Sequence, residues 1–434
     1  MFFLRDFLYL LAVLVMLPLL VYRRICQGRY KEGWAERFGE APVSGPDKQV
    51  IWIHAVSVGE VNGIKTLVSE LEATGEGIEV VISTTTDTGM ARARGLYGGE
   101  HRVFYFPWDF SCAVGRAFRR MRPSLCVLME GEVWPNFTAV AQRLGVPVAV
   151  ANGRVGGEKG WPRYRKLRWL VKGMFGRLRL VLAQDETAAE RFQYLGVATE
   201  KILVAGSLKY DTAEVTDEVE GTEELAAAVG LQADELVWVC GSTGLGEEEM
   251  LLDVFGRLRE VVGLEKLRLV LVPRKPERFD EIAALIASNK FKLLRYSHIK
   301  SGEYELGAGS EQAVILGDTM GDLRKFYALA TVVFVGRSLV PLGGSDMMEV
   351  AALGKPVIVG PYTNNFMGTM RAMVAGEGIE VVADKRQLQE TLQDLLLDLH
   401  KAQRLASRGR QVIIDNKGPT AKSVVELVRL LGQG

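Results

Sequence analysis

Glu60 stands where a strand-like run, WIHA, gives way through Ser57 and Gly59 to a helix-like run that includes Lys65. A carboxylate at that break has two readings. It is a helix-start residue, favoured by the free N–H groups of a first turn, or an acid or base at the mouth of an active site. A helix N-terminus would lower its pKa and hold it ionised, which suits a base taking a proton from a hydroxyl. Further along, MEGEVWPN sets Glu130 and Glu132 two residues apart at the end of an apolar run, hence on one face of a strand. Carboxylates leaving a hydrophobic strand need partners or a polar cleft. They make a buried salt bridge or helix cap near Pro135, or they line a cleft for a polyhydroxy acceptor or basic partners.

The C-terminal half offers a different chemistry. GSTGLGEEE (241–249) is a glycine-hydroxyl turn, with Ser242 and Thr243, that can present backbone N–H groups to a phosphate. It lacks the lysine of a P-loop, and no G-x-G-x-x-G occurs, so NTP hydrolysis and dinucleotide redox chemistry lose support. In PRKPER (273–278), Arg274 is either surface charge or a guanidinium for phosphate or carboxylate. GDTMGD (317–322) holds Met320 and Gly321 in a loop whose glycines permit close approach to a base or sugar. In GGSDMMEVAALGKP (343–356), Glu349 either bonds nearby backbone or accepts from both hydroxyls of a ribose.

Elements must hold these groups in place. Seven apolar runs, at 49–55, 78–84, 101–107, 124–130, 146–152, 178–184 and 201–206, alternate with helical patterns such as Val61, Ile64, Leu67, Val68 and Leu71. After an acidic stretch from Asp211 to Glu224, seven more follow at 235–241, 267–273, 291–297, 313–319, 331–336, 355–360 and 378–384. Continuous Val/Ile/Leu strands between helices predict parallel sheets covered on both faces. The expected organisation is an α/β chain with an anchor at 1–30, an N-terminal Rossmann-like domain at 31–210 and a second at 211–434. The domains join near GSLKYD (206–211), which contains Lys209. Every polar cluster above follows a strand, at the end where open parallel sheets bind ligands.

Composition narrows the class. The 53 basic and 53 acidic residues cancel, which argues against a nucleic-acid binder. Four cysteines without a C-x-x-C pair and four scattered histidines favour a reducing compartment and no His-built metal centre. From Phe7 to Tyr22 the chain is uncharged and almost wholly apolar, with Arg23, Arg24, Arg29 and Lys31 after it. Those sixteen residues span roughly 24 Å as a helix, short of a hydrocarbon core. They cross the membrane with thinning or lie partly in one leaflet, as an uncleaved anchor with the body on the cytoplasmic side. Between Arg154 and Arg179, nine basic residues interleave with Trp161, Tyr164, Trp169 and Phe175. A solvated helix face or a nucleic-acid groove would read the same, but beside an anchor the pattern favours anionic lipid headgroups.

These motifs together resemble the bacterial 3-deoxy-D-manno-octulosonic acid (Kdo) transferases. The resemblance runs through YKEGWAERFGE, IHAVSVGE, LMEGEVWPN, NGRV, AQDETAAERFQYLGV, GSLKYD, LVPRKPER, LGDTMGDL and FVGRSLVPLGG, then E..ALGKPV. It implies a GT-B fold, two Rossmann-like domains facing a cleft, and inverting transfer of Kdo from CMP-Kdo to a lipid A precursor. No cofactor and no active-site metal are implied. By the same resemblance Glu60 is the catalytic base. Glu130, Glu132 and Lys209 belong to the acceptor side, with Glu132 the cleft residue of the acidic pair. Arg274 contacts the donor phosphate or the Kdo carboxylate, Glu349 holds the ribose, and Ser242, Thr243, Met320 and Gly321 line the donor loops. The sequence departs from the family pattern in four places. The usual GGHN is Gly343-Gly344-Ser345-Asp346, PRH ends in Lys275, METE has Gly131, and HASSVGE has Val56. Losing an imidazole and an amide beside the donor leaves a rearranged pocket, a different nucleotide sugar, low activity or a non-catalytic sugar-nucleotide binder as alternatives.

Overall fold

The computed structural model describes residues 2–26, 32–45, 48–75, 77–303, 307 and 310–432; Arg29 and Lys31 of the expected basic cluster lie outside these. All fourteen expected strands form. The first seven are β1 (Gln49–His54), β2 (Ile78–Thr84), β3 (Arg102–Tyr105), β4 (Leu125–Met129), β5 (Val148–Gly153), β6 (Leu180–Ala183) and β7 (Ile202–Val204). They pair in the order β3-β2-β1-β4-β5-β6-β7, every pair parallel. The second seven are β8 (Val237–Thr243), β9 (Arg268–Pro273), β10 (Leu293–Arg295), β11 (Val314–Leu316), β12 (Val332–Val335), β13 (Val357–Val359) and β14 (Glu380–Val381). Their order is β10-β11-β9-β8-β12-β13-β14, again all parallel.

Alternation within each strand explains the layers. In β1, Val50 and Trp52 enter one core with Phe104, Phe118 and Phe137, while Ile51 and Ile53 enter another with Val61, Leu67 and Leu71. Both faces of the sheet are therefore apolar, as a period of two inside a continuous hydrophobic run requires. The second sheet has its own core around Trp238, Leu251, Phe255, Leu269 and Phe334.

The chain divides into two compact units, residues 1–212 with 418–434, and 213–417. The second domain was expected to run on to 434, but the last helix, Pro419–Leu431, belongs to the first unit. There Val424, Leu427, Leu430 and Leu431 join the core beside Leu67 and Leu71. Asp211 fastens it: its carboxylate accepts the N–H groups of Gly418 and Thr420 at 2.7 and 2.6 Å, capping that helix. A terminal helix returning to the first unit leaves no local trace in its own sequence.

The N-terminal helix spans Phe2–Cys26, starting before the expected apolar run and containing Pro18. It is long and apolar enough to cross a membrane by length and composition. Its half-buried residues, Phe2, Arg5, Asp6, Tyr9 and Val13, recur at helical spacing and form one stripe. Along that stripe the Tyr9 hydroxyl donates to Asp109 at 2.9 Å, Asp6 accepts from Ser111 N–H and Asn136, and Arg5 donates to Pro135 O. Near the other end, the Arg24 guanidinium stacks 5.4 Å over Trp34. Both ends of the helix thus touch the first unit. Its other faces, including Phe3, Leu4, Phe7, Leu8, Leu11 and Leu14, are exposed.

Candidate functional site

In each sheet the chain starts at a central strand, builds to one side, then crosses to the other. The crossing lies between β1 and β4 in the first sheet and between β8 and β12 in the second. Loops leaving such neighbours at their carboxyl ends diverge and open a crevice. Glu60, Glu130 and Glu132 follow β1 and β4 at the first crossing, and Ser242, Thr243 and Glu349 lie at or after the ends of β8 and β12 at the second; Arg274 follows β9, Met320 and Gly321 follow β11, and Lys209 follows the edge strand β7.

In the first unit, Glu60 is the third residue of the helix Val58–Gly63 that follows β1. Its carboxylate folds back over its own helix start, accepting from Val56 N–H and the Ser57 hydroxyl, both at 3.0 Å. Glu130 and Glu132 arrive from the end of β4 and both act electrostatically on Glu60. Burial, countered by the Val56 bond and reinforced by Glu130 and Glu132, raises the Glu60 carboxyl to about 7. This reverses the expectation of a depressed, permanently ionised carboxylate. A six-residue helix has little dipole to offer, and desolvation with two like charges outweighs it.

The acidic pair is not equivalent. Glu130 takes a left-handed backbone, φ 56°, and pairs with Arg154 Nε at 2.7 Å. Glu132 has its carboxyl raised by burial and by Glu130, against a hydrogen bond from the Trp134 side chain, and it lies near Tyr164. Lys209 opens a short helix after β7, positioned by Asn152, whose side chain accepts Leu208 N–H at 3.2 Å. No group of three His, Cys, Asp or Glu among the described residues is arranged to hold a metal ion.

In the second unit, Ser242 (φ 55°) and Thr243 end β8 and are buried. The Arg274 N–H donates to Thr243 O at 3.1 Å, so β9 delivers Arg274 beside them. The Arg274 side chain is exposed and has no partner among the described residues. Across the sheet, Ser345 Oγ reaches Ser242 O at 3.4 Å, and Asp346 accepts Met348 N–H at 2.9 Å, opening the five-residue helix that carries Glu349. Fully buried Tyr327 links the set, through a side-chain hydrogen bond with Ser242 and electrostatic contact with Glu349 and Asp346. The Glu349 carboxyl is raised by desolvation and then by Asp346, against Arg324, although the residue keeps an exposed surface. Met320 is 71% exposed, and Gly321 has φ 94° with open space where a Cβ would stand.

Two readings change, and a third motif gains a structural role beside its glycines. The glycine-hydroxyl turn does not offer all its N–H groups to a ligand. Buried Glu247 accepts Gly244 N–H at 2.8 Å, with Arg337, Ser338 and Leu339 N–H at 2.6, 2.8 and 2.9 Å. A carboxylate of the chain itself thereby clips the β8 and β12 loops together. In GDTMGD the two aspartates serve the fold: Asp318 accepts from Arg295 and Ser297, and Asp322 from Lys300 and Thr319. In the basic-aromatic segment, Phe175 is core and Trp161 and Tyr164 pack against that core; Trp169 is exposed, 78%, beside Leu170. The residues that sequence reasoning missed, Asn152, Arg154, Glu247 and Tyr327, all act across strand ends. The NGR motif was the visible signal for the first two. Surface cavities of the second unit, of about 420 and 460 Å³, lie along Leu399–Asp415, apart from these groups.

Comparison with known proteins agrees with this arrangement. Residues 32–212 match the family model described as 3-deoxy-D-manno-octulosonic-acid transferase (kdotransferase). A 3-deoxy-D-manno-octulosonic acid transferase of Haemophilus influenzae is 34% identical over 392 residues, covering 90% of this chain and 89% of the relative. That of Bordetella pertussis is 32% identical over 440 residues, covering 98% and 99%. Among solved structures, UDP-GlcNAc 2-epimerase from Neisseria meningitidis, bound to UDP-GlcNAc, superposes with a TM-score of 0.59 at 14% identity, over 88% of this chain and 99% of that one. At that identity the match speaks for the two-sheet GT-B-like fold alone.

Proposed function

The chain belongs to the Kdo transferases and is a Kdo glycosyltransferase of lipopolysaccharide synthesis, and from that premise we propose CMP-Kdo as donor, a lipid A precursor as acceptor and Glu60 as base. The observation that carries the base assignment is its setting. Glu60 is a partly buried carboxyl held near neutrality among two more carboxylates at a topological switch point. A base with a pKa near the working pH combines a useful deprotonated fraction with real proton affinity.

In the reaction, an acceptor hydroxyl oxygen bonds to the anomeric carbon of Kdo while the bond from that carbon to the CMP phosphate oxygen breaks. The hydroxyl proton passes to Glu60, and CMP leaves with the electron pair. Attack opposite the departing phosphate inverts the anomeric centre. CMP is a good leaving group, so the scheme requires no phosphate-bridging metal. The exposed Arg274 guanidinium suits the donor's phosphate or carboxylate. Glu349 suits the ribose hydroxyls, with Ser242, Thr243, Met320 and Gly321 along the same loops. Glu132 and Lys209 line the acceptor side, and Glu130 supports Glu60.

We place the protein at the cytoplasmic face of the membrane. The N-terminal helix meets the first unit near both of its ends, a geometry that favours lying in the interface over spanning it. Exposed Trp169 and Leu170, among Arg165, Lys166 and Lys172, supply a second contact for anionic lipid. The test of the function is transfer from CMP-Kdo to a lipid A precursor, read by product mass, in wild type and Glu60→Gln. A folded Glu60→Gln protein working at the wild-type rate would overturn the base assignment. Product with CMP-sialate or a UDP-sugar, and none with CMP-Kdo, would overturn the donor.

A further inference from the structure

Three carboxyls meet in the first unit, and among the described residues they have one cation between them. Glu60 is held by the Val56 N–H and the Ser57 hydroxyl, with no cation paired to it among the described residues. Arg92, on the neighbouring helix Asp87–Tyr97, is taken by Asn62 at 2.7 Å. Glu132 has Trp134 and Tyr164 for neighbours. Among the described residues Glu130 is the one of the three with an ion pair, to Arg154.

That pair is built in by the backbone. β4 and β5 run side by side with Met129 opposite Ala151, and two further bonds extend the ladder past their ends. Glu130 N–H donates to Ala151 O at 3.0 Å, and Arg154 N–H donates to Glu130 O at 3.2 Å. A Cβ at Gly131 would stand 2.6 Å from the Arg154 carbonyl, so only glycine lets the two segments approach this closely. Glu130 holds its place with a left-handed φ of 56°, a conformation that costs a residue with a side chain. Ladder, close approach and strained backbone each fix Arg154 against Glu130.

We infer that Arg154 is a positioning residue for proton transfer: its guanidinium anchors the Glu130 carboxylate and offsets its charge beside Glu60, the carboxyl that receives the acceptor's proton. This rests on Glu60 being the base. Without the guanidinium, the charge of Glu130 is unopposed beside Glu60 and Glu132. The Glu60 carboxyl then keeps its proton to higher pH, and less of the base is free at neutrality.

Arg154 is about half exposed, so its replacement leaves the core intact. The experiment is the pH profile of kcat for CMP-Kdo transfer in five proteins, with melting temperature alongside. Arg154→Gln should move the acid limb up by about one pH unit, cut the rate at pH 6.5 by roughly five- to tenfold and approach wild type at pH 9. Arg154→Lys, which keeps the charge, should stay near wild type. Glu130→Gln/Arg154→Gln should have a limb no higher than wild type, because the charge that Arg154 opposes is gone. An unmoved limb in Arg154→Gln, or an equal loss at every pH, overturns the inference. The base reading fails separately, if Glu60→Gln keeps both rate and limb.

Discussion

Arg278 closes a fork on Glu248. Its terminal nitrogens lie 2.7 and 3.2 Å from the two carboxylate oxygens, and the Thr243 hydroxyl donates to the same group at 2.8 Å. Glu248 is 1% exposed and the Arg278 side chain 13%, so the pair is largely out of water. Bidentate geometry with a third donor is what such a pair needs to offset its desolvation. It also ties Thr243, at the end of β8, to the 3-10 turn after β9. Removing one partner leaves a buried charge unopposed. Arg278→Ala should lower stability by about 3 kcal/mol, measured by urea unfolding. Unchanged stability would mean that water replaces the guanidinium.

Glu60 makes rate and stability respond to pH in opposite directions. Its folded-state carboxyl is raised to about 7, above an ordinary value of 4.5. As a base it acts only when deprotonated, so the rate should fall as pH drops through about 7. Glu60→Gln should lose that limb together with roughly a hundredfold or more in kcat. Stability runs the other way. A raised carboxyl favours the folded state below the ordinary value, and that contribution is lost as pH rises through about 7. Glu60→Gln should therefore match wild type near pH 4 and be the more stable protein at pH 8, by thermal melting at both.

Much of this was legible in the sequence. Parallel strands buried on both faces are uninterrupted Val/Ile/Leu runs, and all fourteen were visible for that reason. Glu60, Glu130 and Glu132 were visible because a polar group straight after such a run has few other reasons to be there. What stayed hidden depends on which strands are neighbours. Glu247 reads as one of three successive glutamates, and only the adjacency of β8 and β12 brings the N–H groups of Arg337, Ser338 and Leu339 to it. The sign of the Glu60 shift was hidden likewise, since it needs the burial of its carboxyl and, beyond that, β4 beside β1.

Glu247 gives a test on the second unit. Its four backbone donors reach both oxygens, so an amide in its place sets an NH₂ against two of them. Glu247→Gln should lose about 2 kcal/mol in stability. At a temperature where the variant is folded, CMP should bind at least several-fold more weakly, by calorimetry, because the β8 and β12 loops are no longer clipped. CMP affinity equal to wild type would show that those loops keep their form without the carboxylate.

The N-terminal helix decides between lying in the interface and spanning it. Its contacts with the body use Asp6 and Tyr9 near one end and Arg24 near the other, leaving Phe3, Phe7 and Leu14 outward. If the outward residues meet lipid, Phe7→Asp and Leu14→Asp should each weaken binding to anionic vesicles roughly tenfold, in a flotation assay. Tyr9→Phe removes only the bond to Asp109, and lipid binding should persist. Topology gives the sharper readout. A cysteine placed at Phe3 should react with a thiol reagent from the same side of the vesicle as the body, since the helix start stays docked on it. Labelling from the opposite side would mean that the helix spans, and that its contacts to Asp109 and Ser111 are released in the membrane.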